Sequence, residues 1–271
     1  MQRWGLKEEP FKDNLDERFY FSTRQHERAY ASMVYCITNH EPGGLIIGQS
    51  GIGKSLISQR IISKISDYDD YIPALILIYP QMPKTSLLYE ALSQLGITEI
   101  KRNLTTKALL DPLHEFIIDK YREGKRVVLI LDESHFLSSQ SLHLLRTLTN
   151  LETPTEKLIT AIFIAEDRFV RRLGYTTYES LRGRIKITSR IKPLDEKETK
   201  KYILHRLTVA GAEEPVFTEE TYPLIYEKSG GIPRNINKIC GQALFNTRFE
   251  EKNIIDLEIL KSSLEDLRGI L

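Results

Sequence analysis

The stretch LIIGQSGIGKSLI, residues 45–57, decides how this chain folds. It fits G-x-x-x-x-G-K-[ST] at Gly48, Gly53, Lys54 and Ser55, with an apolar run before it and a helix-like run after it. Strand, glycine-rich turn and helix is the context in which that spacing cradles phosphate. Glycines 48, 51 and 53 are expected to turn the backbone with positive φ, so that successive N–H groups point inward at phosphate oxygens with no Cβ in the way. A helix opening near Lys54 adds its dipole. The Lys54 ammonium is expected between β- and γ-phosphates, and the Ser55 hydroxyl on Mg²⁺, a hard cation that prefers oxygen. The expected nucleotide contact therefore comprises Gly48, Gln49, Ser50, Gly51, Ile52, Gly53, Lys54, Ser55 and Leu56, with ATP and Mg²⁺ as ligands.

Outward from this loop the sequence alternates strand-like and helix-like segments. A helical pattern over 22–38, with Ser22 as a plausible cap, is broken at Glu41-Pro42-Gly43-Gly44 before the first strand. The runs 74–79 and 127–131 are apolar on both faces, which marks buried parallel strands, and further strands are expected at 158–164 and, a short one, at 186–188. Helices are expected at 86–95, 106–122, 139–150 and 168–173 between them. Such a βαβ series makes a doubly wound parallel sheet with ligands at the carboxyl ends of its strands. From Pro193 the pattern turns wholly helical, with Asp195 and Glu198 as a capping pair, Thr218 opening a second helix, Pro233 at the first turn of a third, and a last helix over 256–268. The expected domains are 1–193, the nucleotide-binding α/β domain with an N-terminal extension, and 194–271, a small all-helical lid.

The apolar run VVLIL ends in Asp132 and Glu133. A carboxylate at the tip of a strand neighbouring the phosphate loop can hold Mg²⁺, and the next carboxylate can polarise a water for in-line attack on the γ-phosphate. His135, two residues on, is either a solvated turn residue or part of the chemistry.

The bulk composition excludes several classes. The chain has 271 residues, a formal net charge of +1, 41% hydrophobic and 28% charged residues, the balance of an ordinary globular protein rather than a disordered or generally nucleic-acid-coating one. Two cysteines, Cys36 and Cys240, are too few for a disulfide framework or a cysteine zinc site. No window reaches the roughly 20 apolar residues that cross a bilayer, and the start lacks a signal peptide's apolar core, so a cytoplasmic location is expected.

The order GQSGIGKS, LILDESH and GGIPRNIN resembles the AAA+ ATPases. The flanking pieces WGLKEEPF, HERAYASMVYCI, LRGRI, IKPLDEKETKKYILHRLTVAGA and SGGIPRNINKICGQAL are similar to the general secretion pathway protein A type of that family, and the related ATPases of transposition systems share much of the pattern. The resemblance implies an α/β P-loop NTPase fold with a helical lid. It implies that Arg184, with Arg182 as the near alternative, reaches the γ-phosphate of a neighbouring subunit, and that Arg234 is the lid arginine contacting phosphate in its own subunit. One departure stands out. Glu166 occupies the sensor 1 position in IFIAEDR, and an ionised carboxylate accepts hydrogen bonds without donating them and repels phosphate.

A finger acting in trans places the active site between protomers, so head-to-tail self-association is expected, as a ring or a helical filament. The basic run Arg168, Arg171, Arg172, Arg182, Arg184, Lys186, Arg190 and Lys192 against Glu179 suits a subunit interface, phosphodiester backbone or plain solvent. Secretion relatives continue into a membrane span that this chain does not carry, which favours a DNA-associated regulator with a transposase-like partner. A secretion ATPase acting through a membrane partner and a nucleotide switch with negligible turnover, suggested by Glu166, are the alternatives.

Overall fold

The computed structural model describes residues 4–14, 16–98, 101, 104–249 and 252–270. In chain order the elements are Arg24–Thr38 (α1), Gly43–Ile47 (β1), Lys54–Ser66 (α2), Tyr71–Leu77 (β2), Lys84–Gln94 (α3), Thr106–Arg122 (α4), Arg126–Asp132 (β3), Ser139–Leu148 (α5), Ile159–Ala165 (β4), Asp167–Leu173 (α6), Glu179–Arg182 (α7), Ile185–Arg190 (β5), Glu196–Val209 (α8), Thr221–Ser229 (α9), Pro233–Asn246 (α10) and Leu257–Asp266 (α11).

By its contacts the chain divides into two units. One is Arg24–Gln49 with Ile57–Ile191, the other Met1–Thr23, Ser50–Leu56 and Lys192–Leu271. This division differs from the expected 1–193 and 194–271. Residues 1–23 join the helical unit because their aromatic side chains are buried there, and most of the phosphate loop joins it too.

In the α/β unit, the strands among the described residues form one parallel sheet of order β2-β3-β4-β1-β5. Strands β1, β4 and nearly all of β3 are buried along their length, whereas β2, also read as buried on both faces, lies at the edge of the sheet and is only partly buried. Helices α3, α4 and α5 contribute Leu88, Leu92, Leu109, Leu113, Leu142 and Leu145 to the core on that sheet. Glycine in β1 lets α1 pack close. A Cβ on Gly44 would meet Met33 Sδ at 2.7 Å and Cys36 Sγ at 3.2 Å. The sheet order also corrects one expectation, because β3, which carries Asp132, is not beside β1. Strand β4 lies between them.

In the helical unit the predicted starts hold at the residues that cap. Asp195 accepts from the Glu198 N–H at 2.8 Å while the Glu198 carboxylate takes the Asp195 N–H, the reciprocal arrangement that satisfies two orphan donors. Pro233 stands in the first turn of α10. Helix α9 starts at Thr221, three residues later than predicted, since the Thr218 carbonyl accepts both the Thr221 N–H and its hydroxyl and so forms a turn before the helix. Trp4, Leu6, Phe11 and Phe19 are buried with Tyr202, Leu207, Phe217, Ile236 and Cys240. Main-chain bonds from Lys7 to Ala210 and from Glu213 to Trp4 tie the N-terminal segment to the end of α8.

Candidate nucleotide site

The phosphate loop leaves β1 at the carboxyl edge of the sheet. Gly48 still belongs to the strand ladder, donating its N–H to the Ala165 carbonyl at 3.1 Å. The left-handed turns are at Gly51, φ 79°, and Gly53, φ 96°, so of the three glycines expected at positive φ, Gly48 differs because β4 holds it in register. Ile52 is buried and anchors the loop from inside. Lys54, only 5% exposed, and Ser55 begin α2. A nearly buried lysine at a helix N-terminus, preceded by a turn whose glycines hold φ positive, fits a polyanionic phosphate chain.

Within the helical unit this loop, from Ser50 on, is held by Arg234 in the first turn of α10. Its N–H donates to the Gly51 carbonyl at 3.2 Å, its Nη1 to Ser50 Oγ at 3.0 Å, and its Nε to Asp13 Oδ2 at 3.0 Å. The approach is close enough that a Cβ on Gly51 would stand 2.7 Å from Arg234 Cβ. Sequence reading found Arg234 and missed Asp13, which sits in a charged segment with no periodic pattern to mark it.

The carboxylates gather at the carboxyl edge of the α/β unit. Asp132 is buried, and its Oδ1 accepts the Glu133 N–H at 2.8 Å. Glu133 itself has φ 56° and ψ 34°, a left-handed conformation that a residue with a Cβ rarely takes and that marks functional positions. The turn that follows buries His135, whose side chain is 1% exposed and stacks on Phe136 with ring centroids 4.2 Å apart. His135 Nε2 lies 3.3 Å from Glu133 Oε2 and 3.9 Å from Glu166 Oε1, and His135 Nδ1 accepts the Glu166 N–H at 3.4 Å. Glu166 follows the last residue of β4 and pairs with Arg168, Nε to Oε2 3.3 Å. Of the two readings of His135, the solvated turn residue is thus excluded by its burial.

Arg184 stands elsewhere. It precedes β5, at the amino edge of the parallel sheet, with Nη1 on the Thr149 carbonyl at 3.1 Å and a buried Nε that has no hydrogen-bond partner among the described residues. Burial, with Arg146 nearby, lowers its pKa from the usual guanidinium value. Arg182 is exposed and bonds the Leu173 and Gly174 carbonyls, each at 3.2 Å. Much of the basic run is committed to its own chain: Arg168 to Glu166, Arg172 to the Leu137 carbonyl, Arg190 to Asp167, besides Arg182 and Arg184.

Residues 37–173 match the family model described as AAA domain. The chain belongs to the AAA domain family. It is 28% identical over 243 residues to General secretion pathway protein A of Aeromonas hydrophila, a match covering 90% of this chain and 44% of that protein. The chain thus spans less than half the length of that curated relative. Among solved structures it is similar to the ORC2 protein of Aeropyrum pernix in its ADPNP–ADP complexes, with TM-score 0.72, 16% identity, and coverage of 97% of this chain and 72% of that one. It is also similar to the Aeropyrum pernix ORC1 protein in complex with DNA, with TM-score 0.67, 16% identity, and coverage of 98% and 69%. At such identities these likenesses establish the fold. No helix among the described residues is long and apolar enough to cross a membrane.

Proposed function

We propose that this ATPase uses the nucleotide in its phosphate loop to govern head-to-tail self-assembly on double-stranded DNA. The observation that carries the reading is the guanidinium of Arg234 resting on Ser50 of the loop with Asp13 as counter-ion. Both partners of that ion pair are about half exposed, 47% and 58%, so it contributes little stability and phosphate can displace Asp13. A guanidinium that exchanges a carboxylate for phosphate reports the bound state to α10, on which it sits.

Within the active site the backbone of Gly48–Leu56 binds phosphate and Lys54 offsets its charge. Ser55 and Asp132 would hold Mg²⁺, which neutralises charge on the β- and γ-phosphates; both donors are oxygens, as that ion requires. Glu133 takes the proton of the attacking water. Arg184, at the opposite edge of the sheet from Glu133 and with Nε unpartnered, is suited to a neighbour's phosphate rather than to its own.

DNA association is supported by the likeness to a structure in complex with DNA and by exposed Arg171, Lys186 and Lys192. The test is ATPase rate and particle size by light scattering, with and without duplex DNA, at two salt concentrations. Stimulation and growth that fall with salt are expected. No response to DNA sinks the DNA part. The sequence identity to General secretion pathway protein A favours a second reading, an envelope or secretion ATPase working through a membrane partner, and DNA-independent activity would move the balance there. For the site itself, Lys54→Ala should abolish ATP binding. Glu133→Gln should retain binding and stop turnover.

A further inference from the structure

We infer that His135 is a positioning residue for hydrolysis: its Nε2–H aims the Glu133 carboxylate, and the Glu166 main chain sets the imidazole tautomer that makes this possible. The inference rests on the reading of Glu133 as the base. A backbone N–H can only donate, so Nδ1, which accepts the Glu166 N–H at 3.4 Å, carries no proton. In a neutral imidazole the proton is then on Nε2, the nitrogen 3.3 Å from Glu133 Oε2. Such contacts are commonly long without substrate and tighten when it binds. The ring has little freedom to do anything else, being buried and stacked on Phe136.

The same geometry accounts for the carboxylate at the sensor 1 position. Glu166 Oε1 is 3.9 Å from the same Nε2 and competes for its proton, but Arg168 Nε, 3.3 Å from Oε2 of Glu166 and itself stacked over Phe136 at 4.6 Å, holds that carboxylate aside. What this position contributes is therefore its backbone N–H, which any residue but proline supplies. The arrangement also argues against reading Glu133, His135 and Glu166 as a metal centre, although their ligand atoms lie within 4.8 Å of one another. Ligation through Nε2 needs a proton on Nδ1, which would then face the Glu166 N–H, donor against donor.

Glu133 already spends conformational freedom on a left-handed backbone, which turns its side chain out of the strand direction. The hydrogen bond from His135 completes that aim by fixing the carboxylate end. A base displaced by about 1 Å loses on the order of 100-fold in rate, while nucleotide binding, which uses other groups, is unaffected.

The experiment measures kcat, KM and fluorescent-nucleotide affinity for His135→Phe and His135→Gln, each in the parental protein and with Glu133→Gln. Phenylalanine keeps the buried ring and removes the donor. Glutamine keeps a donor at the Nε2 position. Expected are a loss in kcat of roughly 10- to 100-fold for His135→Phe with KM and affinity unchanged, recovery to within about threefold by His135→Gln, and unchanged nucleotide affinity for His135→Phe once Glu133 is glutamine. Parental kcat in His135→Phe, with Glu133→Gln inactive, overturns the positioning role and leaves the base in place. Parental turnover in Glu133→Gln alone overturns the base and this inference with it. Loss of nucleotide affinity in both His135 variants would mean a packing role and also overturn it.

Discussion

At the scale of single residues, the glycines differ sharply in what they permit. Gly51 and Gly96 both have φ near 80°, but a Cβ on Gly51 meets Arg234 at 2.7 Å while one on Gly96 meets nothing within 4 Å. Gly96→Ala should cost only backbone strain, about 1–2 kcal/mol, with nucleotide affinity intact. Gly51→Ala should add loss of nucleotide binding by more than roughly tenfold, since its clash pushes the loop off Arg234. Thermal melts and nucleotide titrations on the two variants check this. The thiols give a second prediction. Burial pushes Cys36 up to about 12 and Cys240 well above the usual thiol value, so neither should be alkylated by iodoacetamide in the native protein at pH 8, and both should react in denaturant. Mass spectrometry reads the outcome. These residues also mark what was legible. Lys54, Asp132 and Glu133 stand out by motif and strand context, and Arg234 by the family resemblance. His135 is only half legible, open between a solvated turn and the chemistry, and Asp13 is not legible at all, since nothing in a sequence reports that one turn buries a ring or that a charged segment closes on a lid.

At the scale of elements, the Asp195–Glu198 capping pair was legible because it is local, whereas Ser138 and Asp256 cap their helices without being read as caps. Asp195, Ser138 and Asp256 each accept an N–H from the first turn of the helix that follows. Asp256 accepts both Glu258 and Ile259 N–H groups at 3.0 Å and pairs with Lys252 at 2.7 Å. The Lys252 ammonium first, and then the Ile259 N–H, hold its carboxyl below the usual carboxylate range. Asp256→Ala should therefore cost about 1 kcal/mol at neutral pH, and Asp256→Asn, which still caps, less than half of that. The folded state holds this proton more weakly than the unfolded one, so the contribution is present above pH ~4 and is lost as the pH falls through the depressed value. Urea melts at pH 7 and pH 3 on the parent and the alanine variant should show the difference shrinking with acid. Strand order was not legible in this way. The apolar runs told of buried parallel strands, but nothing in β3 itself says that β4 intervenes before β1; that is fixed by crossovers between segments distant in sequence.

At the scale of the whole chain, the N-terminal segment shows why domain limits drawn along a sequence fail. Its aromatics belong to the helical core, and a buried guanidinium closes the connection: Arg206 donates to the carbonyls of Pro10 and Lys12 and to the Tyr202 hydroxyl, with Phe19 stacked 4.8 Å away. The two carbonyl bonds span 196 and 194 residues, which no local pattern encodes. Removing that cation leaves the buried Pro10 carbonyl without its donor, while the Tyr202 hydroxyl keeps its bond to Asn237 Oδ1, so Arg206→Met should destabilise by about 2 kcal/mol, measured by urea unfolding followed at Trp4, which donates to the Asn253 carbonyl in the same unit. Next to it, His205 supplies a pH dependence. Burial first, and then the Arg206 charge, lower its pKa from the usual imidazole value, Tyr20 pulling weakly the other way, and its Nε2 is buried with no hydrogen-bond partner among the described residues. A histidine whose folded pKa is depressed binds its proton in the unfolded chain first, around pH ~6.5, so the unfolded state gains protons as the pH drops and stability falls with it. The slope from one such group reaches at most about 1.4 kcal/mol per pH unit. Unfolding midpoints at pH 7.5 and pH 5.5 should therefore drop in the parent and drop distinctly less in His205→Phe, which keeps an aromatic against Phe21, 5.6 Å away. Equal drops in both proteins would assign the acid sensitivity to groups other than His205.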